Sequence, residues 1–144
     1  MIVIGEDIFF IFTILKFQLH IFSFQFTMRN NVIHDKSYAF ALRIVKAYKY
    51  LSENKREYVL SKQVLRSGTA IGALVKESEH AQSKADFINK LSIALKEANE
   101  TAYWLTLLKD GDFIDENSFF SIKTDCDEII KILVAIIKTS KDNR

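Results

Sequence analysis

The sequence predicts an all-α protein, an antiparallel up-down-up-down four-helix bundle, and three observations carry that expectation. Pro is absent and Gly occurs only four times in 144 residues, so the chain lacks the turn residues that an all-β fold needs. Four stretches place apolar residues at helical spacing. Short polar connections separate those stretches, which makes neighbouring helices antiparallel. The length suits one domain with a single core.

The first helix is expected over about 35–54, with Asp35 as N-cap and Phe40, Ala41, Ile44, Val45, Tyr48 and Leu51 inward. "SENKRE" (52–57) reads as a polar connection. The second helix, about 58–79, has a stripe of Leu60, Val64, Gly68, Ile71 and Val75, so Gly68 falls on the buried face and Gly72 on its flank. Each Gly costs a helix about 1 kcal/mol relative to Ala, and close approach of another helix offsets that cost. The G-x-x-x-G spacing also occurs in phosphate loops, but those follow a strand and cluster more glycines.

Ser83 and Asp86 resemble a capping box at the start of the third helix, about 84–109. Its main stripe is Phe87, Ile88, Leu91, Ala94, Leu95, Ala98, Ala102 and Leu105. Ile93, Trp104, Leu107 and Leu108 fall on the reverse side. Apolar residues on two sides imply burial on two sides, and in a four-helix bundle the second side is expected to meet another subunit. Gly111 suits a C-cap. The fourth helix, about 116–139, turns Phe119, Ile122, Cys126, Ile129, Ile130, Leu133, Val134 and Ile137 inward.

Residues 1–27 differ in character, holding seven of the twelve Phe. A signal peptide needs a basic start and a small-residue cleavage site, whereas Glu6 and Asp7 come first here. A membrane span needs about 18 apolar residues, and Lys16, Gln18, His20 and Gln25 interrupt this one. The favoured expectation is a non-native or disordered leader, translated from a start assigned too early, with Met28 as the natural start and residues 28–144 as the bundle.

The chemistry-bearing residues do not form an enzyme pattern. Glu77, Glu97 and Glu100 could converge, but di-iron bundles use a Glu-x-x-His repeat on paired helices, whereas Glu97-Ala98-Asn99-Glu100 has no His at the required place and His80 follows Glu79 directly. Cys126 lies on an apolar stripe, where Cys acts as a small hydrophobe. Ser67, Ser78 and Ser83 have no His at an interpretable spacing. No catalytic residue, metal or cofactor is expected. The single Cys excludes an internal disulfide and fits a reducing cytoplasm.

Charge is the better clue. The net charge is only +2, but residues 29–66 carry nine Lys/Arg against three Asp/Glu, while residues 67–144 carry ten against thirteen. Lys36, Arg43, Lys46 and Lys49 on the first helix, with Lys62 and Arg66 early in the second, could track a phosphate backbone. Tyr50 among them could stack on a base. An ordinary solvated face, or pairing with the acidic later helices, is the competing reading.

The runs "KSYAFALRIVKAYKYL", "LSKQVLRSGTAIGALVKES" and "QSKADFINKLSIALKEANETAYWLTLL", with the turn at 111–114, resemble a bacterial family. It is the four-helix-bundle protein encoded in intervening sequences of large-subunit ribosomal RNA genes, related to the accessory variability protein of diversity-generating retroelements. Arg66, Gly68, Ile71, Gly72, Glu77, Ser83, Asp86, Phe87, Lys90, Glu97, Glu100 and Trp104 match its motif positions. Leu74 departs from the usual Asn, and Ser78 from the common Ala. The resemblance implies a homo-oligomeric ring, typically a homopentamer. For the retroelement relatives it implies partners that are nucleic acid and a reverse transcriptase.

The expected protein is therefore a cytoplasmic, non-enzymatic oligomer that binds structured RNA or a ribonucleoprotein without membrane contact. The alternative is a protein-interaction scaffold with no nucleic-acid role.

Overall fold

The structure, a computed structural model, describes residues 3–142. Four helices account for the fold: α1 (Val3–Asn54), α2 (Leu60–Ser78), α3 (Lys84–Asp110) and α4 (Glu116–Asp142). Each packs on two neighbours in a closed cycle, α1 on α2, α2 on α3, α3 on α4 and α4 on α1, and the α1–α4 seam is the least extensively packed. No strand occurs among the described residues.

The core runs along the bundle axis. Phe40, Ile44 and Leu51 of α1 meet Val64 and Ile71 of α2, Leu91 and Leu105 of α3, and Ile129 and Leu133 of α4, all nearly inaccessible. Two expectations for the stripes are corrected. Leu108, placed on the reverse side of α3, is fully buried in the core. Val134 of α4 is exposed, and Ile136 is buried instead. The buried row of α4, Phe119, Ile122, Cys126, Ile129, Leu133, Ile136 and Ser140, keeps alternating spacings of three and four to its end, and Val134, one past Leu133, falls outside it.

Helix ends are set by side chains that patterning reads poorly. α2 is capped by Glu57, a nearly buried carboxylate in the "SENKRE" connection. Its Oε1 accepts the N–H groups of Val59 (3.0 Å) and Leu60 (2.8 Å), and its Oε2 accepts that of Ser61 (2.6 Å). Burial pushes the Glu57 carboxyl up, but the N–H groups of Leu60, Ser61 and Val59 and the Ser61 side chain pull it down. The net lies below the ordinary carboxylate value.

At α3, Ser83 Oγ accepts the Asp86 N–H (3.1 Å), while the Asp86 carboxylate accepts the N–H of Gln82 (3.2 Å). Asp115 caps α4 by accepting the Ser118 N–H (2.9 Å) and hydroxyl (2.7 Å). These bonds hold its carboxyl below the usual range.

The C-cap expected at Gly111 is found there. Gly111 has φ −87°, and the left-handed residue is Asp112, at φ 60°. The Phe113 N–H donates to Leu108 O (2.9 Å) and the Asp112 N–H to Lys109 O (3.0 Å), the bond pair of a Schellman motif. Asp tolerates this seat better than most residues with a Cβ.

The glycine pair of α2 divides into two environments. A Cβ on Gly68 would lie 2.7 Å from Ile44 Cγ1 and 3.0 Å from Cγ2. On Gly72 it would stand 3.4 Å from the Ser37 carbonyl oxygen, an ordinary contact. Close approach of α1 therefore requires Gly at 68 and leaves room for a methyl at 72.

Asp35, expected as an N-cap, lies inside α1. The sequence between Gly5 and Gly68 contains neither Gly nor Pro, so nothing local breaks the hydrogen-bond ladder. Residues 3–27, expected as a leader, thus continue α1 as helix. Every described side chain from 7 to 29 is exposed, among them Phe9, Phe12, Phe17, Leu19 and Phe24. By length and composition α1 contains a window apolar enough to cross a membrane, although the polar residues at 16, 18, 20 and 25 interrupt it.

Candidate nucleic-acid interface

The seven residues expected to meet nucleic acid divide into two groups. Lys36 and Arg43 are already engaged across the α1–α4 seam. Lys36 Nζ lies 2.9 Å from the Glu128 carboxylate. The Arg43 guanidinium is bonded to the Asp125 carboxylate and donates to the Ser121 hydroxyl (2.8 Å) and carbonyl (3.3 Å). The acidic character of the later helices thus offsets part of the first helix's charge. Both acceptors, Asp125 and Glu128, lie three apart on α4.

Lys46, Lys49, Lys62 and Arg66 form the second group. All four are exposed, and none takes part in an ion pair among the described residues. Lys46 and Lys49 lie in the last turns of α1, and Lys62 and Arg66 in the first turns of α2. The connection is closed by a hydrogen bond from the Glu57 N–H to Leu51 O (3.0 Å). The turn therefore gathers two cations from each helix at one end of the bundle. Tyr50 is about half exposed beside them.

Beneath Lys46 and Tyr50 the loosely packed α1–α4 seam opens into a groove of about 710 Å³. Leu51, Leu105, Leu108 and Ile122 form an apolar floor. Arg43, Lys46 and Tyr50 stand on its α1 side and Asp115, Ser118 and Ser121 on its α4 side. Periodicity could not show this groove, because it depends on how far two helices stand apart.

The residues expected in helix packing and assembly also separate. Ile93, Trp104 and Leu107 are partly buried on α3, with Trp104 packed against the core, whereas Gly68 and Leu108 belong to the interior. Trp104 donates its indole N–H to Glu100 (3.0 Å) and meets Tyr103 edge-on. Glu100 is thereby occupied, and Glu77 pairs with Lys90 Nζ (2.8 Å). Among the described residues no group of three or more His, Cys, Asp or Glu could hold a metal ion. The Cys126 thiol is buried and donates to Ala98 O (3.3 Å), and burial pushes its pKa up to about 12.

The comparisons with known proteins fit this geometry. The model of the 23S rRNA-intervening sequence protein family matches residues 29–135. The chain belongs to that family. It is also similar to a crystallised Bacteroides thetaiotaomicron VPI-5482 protein of unknown function from the S23 ribosomal protein family. That similarity is 57% in sequence with a TM-score of 0.76, covering 76% of this chain and 98% of the other. Among curated proteins none matches significantly. Both Lys/Arg groups and the whole α1–α4 groove lie within the span the family model matches, and the Phe-rich start of α1 lies outside it.

Proposed function

We propose that this family member is a non-enzymatic RNA-binding accessory protein whose contact surface is the basic end of α1 and α2. The observation that carries the reading is the set of cations Lys46, Lys49, Lys62 and Arg66, exposed and without an ion pair among the described residues, in the last turns of α1 and the first turns of α2 at one end of the bundle. Four such groups displace counterions from a phosphate backbone, and each contributes to a salt-dependent affinity. Lys36 and Arg43 contribute less, because binding RNA would first require them to leave Glu128 and Asp125.

Assembly would multiply that contact. Ile93, Trp104 and Leu107 give α3 a second apolar side suited to another copy, and a ring such as a homopentamer repeats the basic end several times. Repeated weak contacts then act together. In this reading the protein works in the cytoplasm, needs no cofactor and has structured RNA or a ribonucleoprotein such as a reverse transcriptase complex as its partner.

The test is RNA affinity across a salt series. Affinity should fall steeply with salt, and replacing each of Lys46, Lys49, Lys62 and Arg66 by Gln should reduce the log–log slope by about one. Absence of RNA binding at low salt, or salt-independent binding, refutes the proposal. Competition by an acidic protein with no RNA affinity at all would favour the scaffold reading.

A further inference from the structure

The basic end explains attraction to phosphate, yet it does not account for the groove beside it. We propose that the α1–α4 groove receives one unpaired RNA nucleotide, so that the protein recognises a bulged or looped base and not only a charged backbone. The inference rests on the RNA-binding reading and adds the class of RNA element selected.

Three features favour this occupant. The volume, about 710 Å³, lies in the range of small-ligand sites. Its floor of Leu51, Leu105, Leu108 and Ile122 is apolar, which suits the faces of a base and repels phosphate. Its α1 side carries the unpaired Lys46 and the half-exposed ring of Tyr50, which pair a cation for the phosphate with an aromatic surface for the base.

The groove is also polarised. Arg43 is held by Asp125 and Ser121, so Lys46, exposed and without an ion pair among the described residues, is the cation left at the mouth. Asp115 lies on the opposite side with its carboxylate kept charged by the Ser118 N–H and hydroxyl. That negative charge disfavours phosphate and accepts N–H groups, the kind a base edge offers. The nucleotide is therefore oriented with its phosphate toward Lys46 and its base edge toward α4. A base in a regular duplex cannot enter, because it stays stacked and paired.

The experiment compares two RNA hairpins with the same stem, one fully paired and one with a single 2-aminopurine bulge. The full chain should bind the bulged hairpin about tenfold more tightly, and the 2-aminopurine fluorescence should be quenched by stacking. Tyr50→Ala should abolish the quench. Ala47 also lines the groove, and Ala47→Phe, which fills it, should remove the preference while leaving the affinity for the paired hairpin and its salt slope unchanged, which also shows that the variant is folded. Equal affinity for both hairpins, with Ala47→Phe neutral, overturns the groove proposal and leaves the basic-end reading standing. Failure of both hairpins to bind at low salt overturns both.

Discussion

Replacing Gly68 by Ala tests the close approach of α1 and α2 more sharply than a larger residue would. The added methyl carbon would lie 2.7 Å from Ile44 Cγ1, 3.0 Å from Cγ2 and 3.2 Å from Cδ1. Ile44 is completely buried and branched at Cβ, so it cannot turn aside without leaving its rotamer. The helices must separate by several tenths of an ångström. Overpacking of this kind costs about 1–3 kcal/mol, while Gly→Ala returns about 1 kcal/mol of helix propensity. The net is a loss of about 1 kcal/mol, and at most about 2 kcal/mol.

Gly72→Ala meets only an ordinary contact at 3.4 Å and should gain about 0.5–1 kcal/mol. Urea melts should therefore move in opposite directions for two substitutions one turn apart, and thermal midpoints should shift by about 2–4 °C per kcal/mol. Ile44→Ala in the Gly68→Ala background should cost less than the sum of the single changes, because the new methyl occupies vacated space. A Gly68→Ala protein as stable as the parent, or additive behaviour of the pair, refutes the reasoning.

The helix ends and the buried thiol yield three more expectations. Glu57→Ala should cost about 1–2 kcal/mol by leaving three N–H groups at the start of α2 without their acceptor, read from urea midpoints. Because Glu57 titrates below the ordinary value of 4.5 when folded, its contribution is present above that pH. It is lost as pH falls through the folded value, so Glu57→Gln should flatten the acid limb of the stability curve. Asp112→Gly should raise stability by roughly 0.5–1 kcal/mol in the same assay, since Gly occupies the left-handed seat without a Cβ penalty. Cys126 should resist iodoacetamide at neutral pH and react only as the chain unfolds, followed by intact mass; fast labelling of the native protein would contradict its burial.

Four helices were legible in the sequence because their apolar residues repeat at helical spacing and little else competes with that signal. The ends were harder. Glu57 and Asp115 sit in polar connections where many residues look interchangeable, and their capping role appears only when backbone N–H groups point at them. Gly68 was readable as a packing residue because it falls on a stripe, but its difference from Gly72 depends on a few tenths of an ångström. The basic residues were visible as a composition bias. Which cations remain unpaired was not, since that depends on Asp125 and Glu128 arriving from a helix more than 80 residues away. The groove had no sequence signature, because it is a property of the space between α1 and α4.

The unbroken course of α1 also fixes a distance. At 1.5 Å of rise per residue, Phe12 and Lys49 stand about 55 Å apart along one rod, with no Gly or Pro between them to act as a hinge. Tilting the Phe-rich end therefore swings the cationic end through the same angle in the opposite direction. Two residues inserted near position 20 would turn the Phe-rich surface by about 200° relative to the bundle while leaving the core register intact. The protein thus carries its own protractor, and the bearing of its two unlike ends can be reset by insertion length alone.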